Sequence, residues 1–275
     1  MKKYISIIKE WLMFILGAQC PAVVADTDPE SGSTMPVEPE NTGVDEPEVP
    51  EGTDEPVTPV TPPAPPKPSR RLVILLDNGH AASTPGKRSP IEAGEPQFFE
   101  YEFNRDIARR VASMLESLGF TVKMLVPERD VDVSLTERAN RANFYCLEYG
   151  IKNCLFLSIH ANAAGNGSKW MTAKGWSCYT SKGETASDPY AEIFMREAEK
   201  VLVPMGRTIR KYSQQKYSWE ENFTVLVKTK CPAILTENLF YDNHDEKRFL
   251  MSEEGRNAIA RIHVNAIMKI ENPDD

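Results

Sequence analysis

Leu72-Val-Ile-Leu-Leu76 is followed without a break by Asp77-Asn78-Gly79-His80. Five consecutive apolar residues, ending in a polar loop, predict a strand buried on both faces, as in a parallel sheet covered by helices. The pattern recurs. Phe120–Val126 (FTVKMLV) reads as a second strand. Cys154–Ile159 (CLFLSI) is a third, ending at His160. Gly175–Thr180 (GWSCYT) is a shorter one, and Pro232–Thr236 (PAILT) is the last, ending at Glu237. Helical periodicity fills the intervals at Glu100–Leu118, Leu135–Tyr149 and Asp188–Leu202, and a closing helix spans Glu254–Met268. Strands alternating with helices predict an α/β fold: a mainly parallel sheet sandwiched by helices, in a single catalytic domain over residues 71–270. No internal repeat or second domain is expected.

The remaining residues divide by composition. Residues 26–70 carry 12 of the 21 prolines and 11 acidic against two basic side chains, which places a charge of −9 on this stretch alone. It cannot bury apolar area and reads as a disordered tether, extended by charge repulsion and polyproline preference. The rest of the chain holds 30 basic and 29 acidic residues. No face can collect the positive charge that phosphate binding needs, so no nucleic-acid partner is expected. Residues 1–25 begin with Lys2 and Lys3, continue through the apolar run Trp11–Ala18, and place Val23 and Ala25 at a small-residue cleavage site. That is an export signal, too short to span a membrane. Cys20 offers the alternative of a lipoprotein signal and membrane anchoring through the N-terminus, although Gln19 before it makes a poor lipobox. The expected location is periplasmic or associated with the cell envelope, and the expected state is a monomer. Cys146, Cys154, Cys178 and Cys231 match no CxxC spacing. They read as small buried hydrophobes, with a Cys154–Cys231 pair left open.

Three chemically active residue types stand at the ends of three apolar strands: His80, His160 and Glu237. The carboxyl ends of parallel strands form the ligand crevice of such sheets. A fourth residue comes from the first helix. Its apolar stripe is Phe103, Ile107, Val111, Met114, Leu115 and Leu118, and at about 100° per residue Glu100 falls within that stripe while Glu102 lies opposite. An inward carboxylate is costly unless a cation meets it. Two histidines and a glutamate, with a position left for water, form a known catalytic zinc set. Glu237, left free, is then a candidate to move protons. His244 and His263 read as surface or helix-face residues. Trp170, Trp176, Tyr179 and Trp219 read as core in preference to a glycan groove.

At these residues the chain resembles the zinc-dependent N-acetylmuramoyl-L-alanine amidases of the amidase 3 type. The resemblance rests on Asp77-Asn78-Gly79-His80, on Glu100 with Ile107-Ala108, and on Leu135, Arg138, Ala142 and Asn143. It extends through Ser158-Ile159-His160-Ala161-Asn162 to Pro232, Ala233, Leu235, Glu237, Phe240 and Asn243. It implies one zinc on His80, Glu100 and His160, catalysis by Glu237, peptidoglycan as substrate, and cleavage between muramic acid and the first L-alanine of the stem. Asn78 and Ala81-Ala82 depart from the usual DPGHGG, Leu239 stands where glycine is common, and Thr84–Pro90 reads TPGKRSP. These variants look like a phage-type or Bacteroides-type branch. Some family members carry an autoinhibitory helix before the catalytic glutamate, and Ala161–Thr236, with one ordinary helix, predicts none here. A zinc peptidase acting on the stem peptide would use the same metal site. A non-catalytic wall-binding protein should have lost one of the four residues.

Overall fold

The computed structural model describes residues 72–274; the expected signal, Cys20 and the tether lie outside the described residues. Six strands form one sheet: β1 (Val73–Asn78), β2 (Thr121–Met124), β3 (Cys154–Asn162), β4 (Ser177–Thr180), β5 (Trp219–Glu220) and β6 (Ala233–Phe240). Their order is β2-β1-β3-β6-β4-β5. β1 pairs in parallel with β2 and β3, β3 in parallel with β6, and β4 runs antiparallel to β6. The helices are α1 (Glu100–Ser117), α2 (Leu135–Tyr149), α3 (Asp188–Leu202), α4 (Thr224–Lys228), α5 (His244–Met251) and α6 (Glu253–Glu271).

Alternation along the strands builds two cores. Ile74 and Leu76 of β1, Leu155, Leu157 and Ile159 of β3 and Ile234 of β6 pack with the apolar faces of α1, α3 and α6. Val73, Leu75, Phe156, Ala233 and Leu235 face the other way, toward α2 and α4. A sheet covered on both sides explains why its strands read as unbroken apolar runs. Cys146, Cys154, Cys178 and Cys231 are buried free thiols.

Several expectations need correction. Met114 and Leu118 are exposed, although Leu115 between them is fully buried, so the buried stripe at the end of α1 is narrower than expected. β3 and β6 run on through His160 and Glu237, so both residues sit inside strands. β5, α4 and α5 are additional elements. His263 is fully buried on α6: its Nε2 lies 2.9 Å from Thr236 Oγ1 and its Nδ1 2.8 Å from the Ile259 carbonyl. Burial lowers its pKa to about 4, so it is a neutral core residue.

A buried ion pair ties α2 to the end of β1. Arg138 Nη1 lies 2.7 Å from Asp77 Oδ1 and donates to the Asn78 carbonyl at 3.0 Å, while Ser158 Oγ donates to Asp77 Oδ2 at 2.6 Å. Removing one partner leaves the other charge buried and unpaired. Arg138→Met is expected to cost about 3–5 kcal/mol, read as a lowered urea midpoint. A loss below about 1 kcal/mol would show that the pair contributes little to the fold.

Candidate metal centre

Each of the four residues singled out in the sequence comes to the site from a different segment. His80 follows β1, Glu100 opens α1, His160 lies near the end of β3, and Glu237 lies on β6 directly opposite His160 in the strand register. Glu100 Oε1 is 3.3 Å from His80 Nε2 and 3.1 Å from His160 Nδ1. One ligand atom from each of these three residues lies within 4.8 Å of the others. Glu100 is 1% exposed, whereas Glu102 points outward toward Arg129. The helix phase read from the sequence therefore separates the two glutamates correctly.

The ligand loop is held under strain. His80 has φ 65°, a left-handed conformation that a side chain adopts only when its surroundings enforce it. Those surroundings are supplied by α1. Asn104 Nδ2 donates to the Gly79 carbonyl at 3.0 Å and Arg105 Nη1 to the His80 carbonyl at 2.8 Å. On the other side Asn238 Nδ2 donates to the His160 carbonyl at 2.8 Å, and Asn238 Oδ1 accepts from Trp176 Nε1 at 2.6 Å. Sequence reasoning missed these supports. Asn104, one turn after Glu100 on the buried stripe, was the available signal.

The β3–β6 register shifts between His160 and Asn162, where β6 fits an extra residue. Leu239 takes φ 66° at this bulge. A bulge residue in the left-handed region favours glycine, which is why leucine stands out at this position.

Burial favours the neutral form of every ionisable group here, and the contacts decide which groups stay charged. Burial would raise the Glu100 pKa, but the two imidazoles outweigh it and hold the carboxyl ionised. Burial lowers His80. It would also lower His160, but Glu100 reverses that shift. Glu237 has no such partner for Oε2, and burial pushes it up to about 7. Glu100 Oε2 is likewise buried without a hydrogen bond. Two imidazole nitrogens and a carboxylate with an orphaned oxygen are the donor set that a borderline divalent ion satisfies. A cavity of about 350 Å³ opens above them, lined by Lys87, Glu100, His160, Asn162, Glu237 and Tyr241 among others.

The fold and this site together define an α/β domain whose candidate metal ligands gather at the ends of parallel strands. The family model for N-acetylmuramoyl-L-alanine amidases (Amidase_3) matches residues 74–269, and the chain belongs to that family. The endolysin of Bacillus phage SPP1 is 30% identical over 201 residues, covering 73% of this chain and 66% of its own length. The amidase CwlM of Bacillus licheniformis is 31% identical over 201 residues, covering 72% and 68%. The chain thus spans about two thirds of these relatives. Among solved structures, the catalytic domain of the amidase CwlV from Bacillus (Paenibacillus) polymyxa var. colistinus superposes with a TM-score of 0.58 at 23% identity, covering 74% of this chain and 99% of that one. An amidase from Clostridium difficile 630 gives 0.59 at 23%, covering 75% and 100%. These two likenesses establish the fold.

Proposed function

We propose that the protein hydrolyses the amide between the lactyl group of N-acetylmuramic acid and the L-alanine of the peptide stem, with one zinc held by His80, Glu100 and His160. The observation that carries this reading is the convergence of those three side chains beside an unliganded carboxyl, Glu237, placed across from His160. Bound there, zinc supplies Lewis acidity and lowers the pKa of a water toward neutrality. Glu237 does what a buried, unpaired carboxyl is suited to do. It accepts a proton from the attacking water and returns it to the departing nitrogen, since an amide leaves poorly unless that nitrogen is protonated. In the metal-free protein burial raises this carboxyl to about 7, and a divalent ion bound beside it would draw it down toward the ionised form that accepts the proton.

The N-terminal 70 residues fit an exported enzyme: a signal or lipid anchor at residues 1–25, then a tether that gives the domain reach into the wall. We place the protein in the periplasm or cell envelope as a monomer.

Digestion of purified peptidoglycan by the full chain is expected to free L-alanine amino termini and release intact stem peptides, with no new reducing sugar ends. Chelation should abolish the reaction and added zinc restore it. Free amines only on residues deeper in the stem would favour a peptidase, and new reducing ends a glycosidase.

A further inference from the structure

The TPGKRSP stretch is unused by the mechanism above, yet it lies over the site. Residues 86–90 run back along residues 97–100. The Lys87 carbonyl accepts from the Glu100 N–H at 3.0 Å, Ser89 N–H donates to the Phe98 carbonyl at 3.0 Å, and Arg88 and Phe99 form an antiparallel bridge. Gly167, with φ 83°, closes the outer side: a Cβ there would meet the Arg88 carbonyl at 2.8 Å. The backbone of Lys87 is therefore fixed to the first turn of α1, and its side chain is directed into the cavity. Its Nζ lies 3.8 Å from Glu100 Oε2, the oxygen that has no hydrogen bond. At that distance the two attract but do not share a proton, and among the described residues the Lys87 ammonium has no hydrogen bond. Among the described residues it is the one lysine or arginine on the cavity wall.

Resting on the amidase reading, we propose that Lys87 is a catalytic residue that donates to the scissile carbonyl oxygen and stabilises the negative charge developing there as water adds to the carbonyl carbon. The position decides between the two tasks open to a lysine at this site. Its ammonium is half-exposed but lies 3.8 Å from a ligand carboxylate, beside the place where the reacting carbonyl must come. Carboxylates of the stem peptide lie at least a residue beyond the scissile bond. No proton leaves Lys87: the donor holds charge on oxygen, and the proton to the leaving nitrogen comes through Glu237. A preorganised donor of this kind acts in the transition state more than on the bound substrate, so its loss falls on kcat and not on KM.

The test compares the full chain with Lys87→Met, Lys87→Arg and Arg88→Met on a soluble muramoyl-peptide, each checked for zinc content and for zinc retention against a competing chelator. Arg88 is the neighbouring exposed cation and controls for loss of surface charge. Lys87→Met is expected to lower kcat by about 10²–10³, with KM changed less than about threefold. Lys87→Arg should recover part of the loss, and Arg88→Met should behave as the parent. Lys87→Met should hold zinc at least as tightly as the parent, because a like charge beside a ligand oxygen has gone. A raised KM with unchanged kcat would make Lys87 a substrate anchor, and zinc loss would make it a structural part of the ligand set; either overturns the proposal. So would an unchanged Lys87→Met in an active series. If the parent enzyme releases no L-alanine amine, the amidase reading itself fails and the proposal with it.

Discussion

Glu237→Gln lowers kcat by about 10²–10⁴, keeps one zinc per chain, and makes the metal-free protein more stable than its parent. The first two outcomes follow from the site. Glu237 stands apart from the three ligands, and an amide cannot move the proton that a carboxyl moves. The third follows from the cause of its raised pKa, which is burial. With an unfolded value near 4.5 and a folded value of about 7, the folded state resists ionisation. The parent carries no penalty below pH 4.5. Its penalty grows as pH rises from there to 7 and is complete above that. In the metal-free form the stability gap between Gln and Glu should therefore be small at pH 4.5 and level off above pH 7, on the order of 1–3 kcal/mol. Thermal melts in chelator at pH 4.5, 6 and 8 measure it. A gap that is flat across this range would show that Glu237 is not desolvated, and zinc loss in the variant would make it a ligand.

The same carboxyl illustrates what was legible in the sequence. The sequence places Glu237 beyond the last strand, whereas β6 continues three residues past it to Phe240. Only Ala233, Ile234 and Leu235 signal that strand before Thr236-Glu237-Asn238 breaks the apolar run: Glu237 lines the cavity, while Thr236 and Asn238 are buried on hydrogen bonds with His263 and with Trp176 and the His160 carbonyl. Elements with unambiguous ends were read to the residue. α2 starts after Ser134, whose hydroxyl accepts from the Glu137 N–H, and α3 has Pro189 in its first turn. β5 has two residues and α4 five, too few to carry a period. Residue type alone puts His263 at the surface or on a helix face, and the structure buries it. Its spacing from Ile259, Ile262 and Ile267 places it on the buried stripe of α6, but its two hydrogen bonds to Thr236 and to Ile259 come from tertiary and backbone partners that spacing does not reveal. Nothing in the TPGKRSP stretch signals a role for Lys87, because only the folded strap brings it to Glu100.

Gly79→Ala is expected to remove zinc binding while leaving most of the sheet intact. Gly79 is needed for close approach. A Cβ built there would stand 2.0 Å from His160 Cε1, 2.4 Å from Nε2 and 2.5 Å from Nδ1. Neither side can retreat easily. Gly79 N–H donates to the Ile159 carbonyl at 3.1 Å and its carbonyl accepts from Asn104. The His160 ring is held against Glu100, and its backbone is paired in the middle of the sheet. The imidazole must therefore turn away from Glu100, or the His80 loop must lift. Either movement breaks a three-residue ligand set that a metal-free site holds within 4.8 Å. Disturbing ligand supports alone typically costs 10–100-fold in metal affinity, so displacing a ligand should cost about 100-fold or more, with activity falling in step. Gly119→Ala is the control. That glycine ends α1 at φ 83° with nothing within 4 Å of a Cβ, so alanine there should cost about 1–2 kcal/mol of backbone strain and no metal. Circular dichroism of Gly79→Ala should keep its helical signal. If instead the variant bound zinc as tightly as Gly119→Ala, His160 would have room that the packing of these two strands denies it, and the ligand assignment would need another residue.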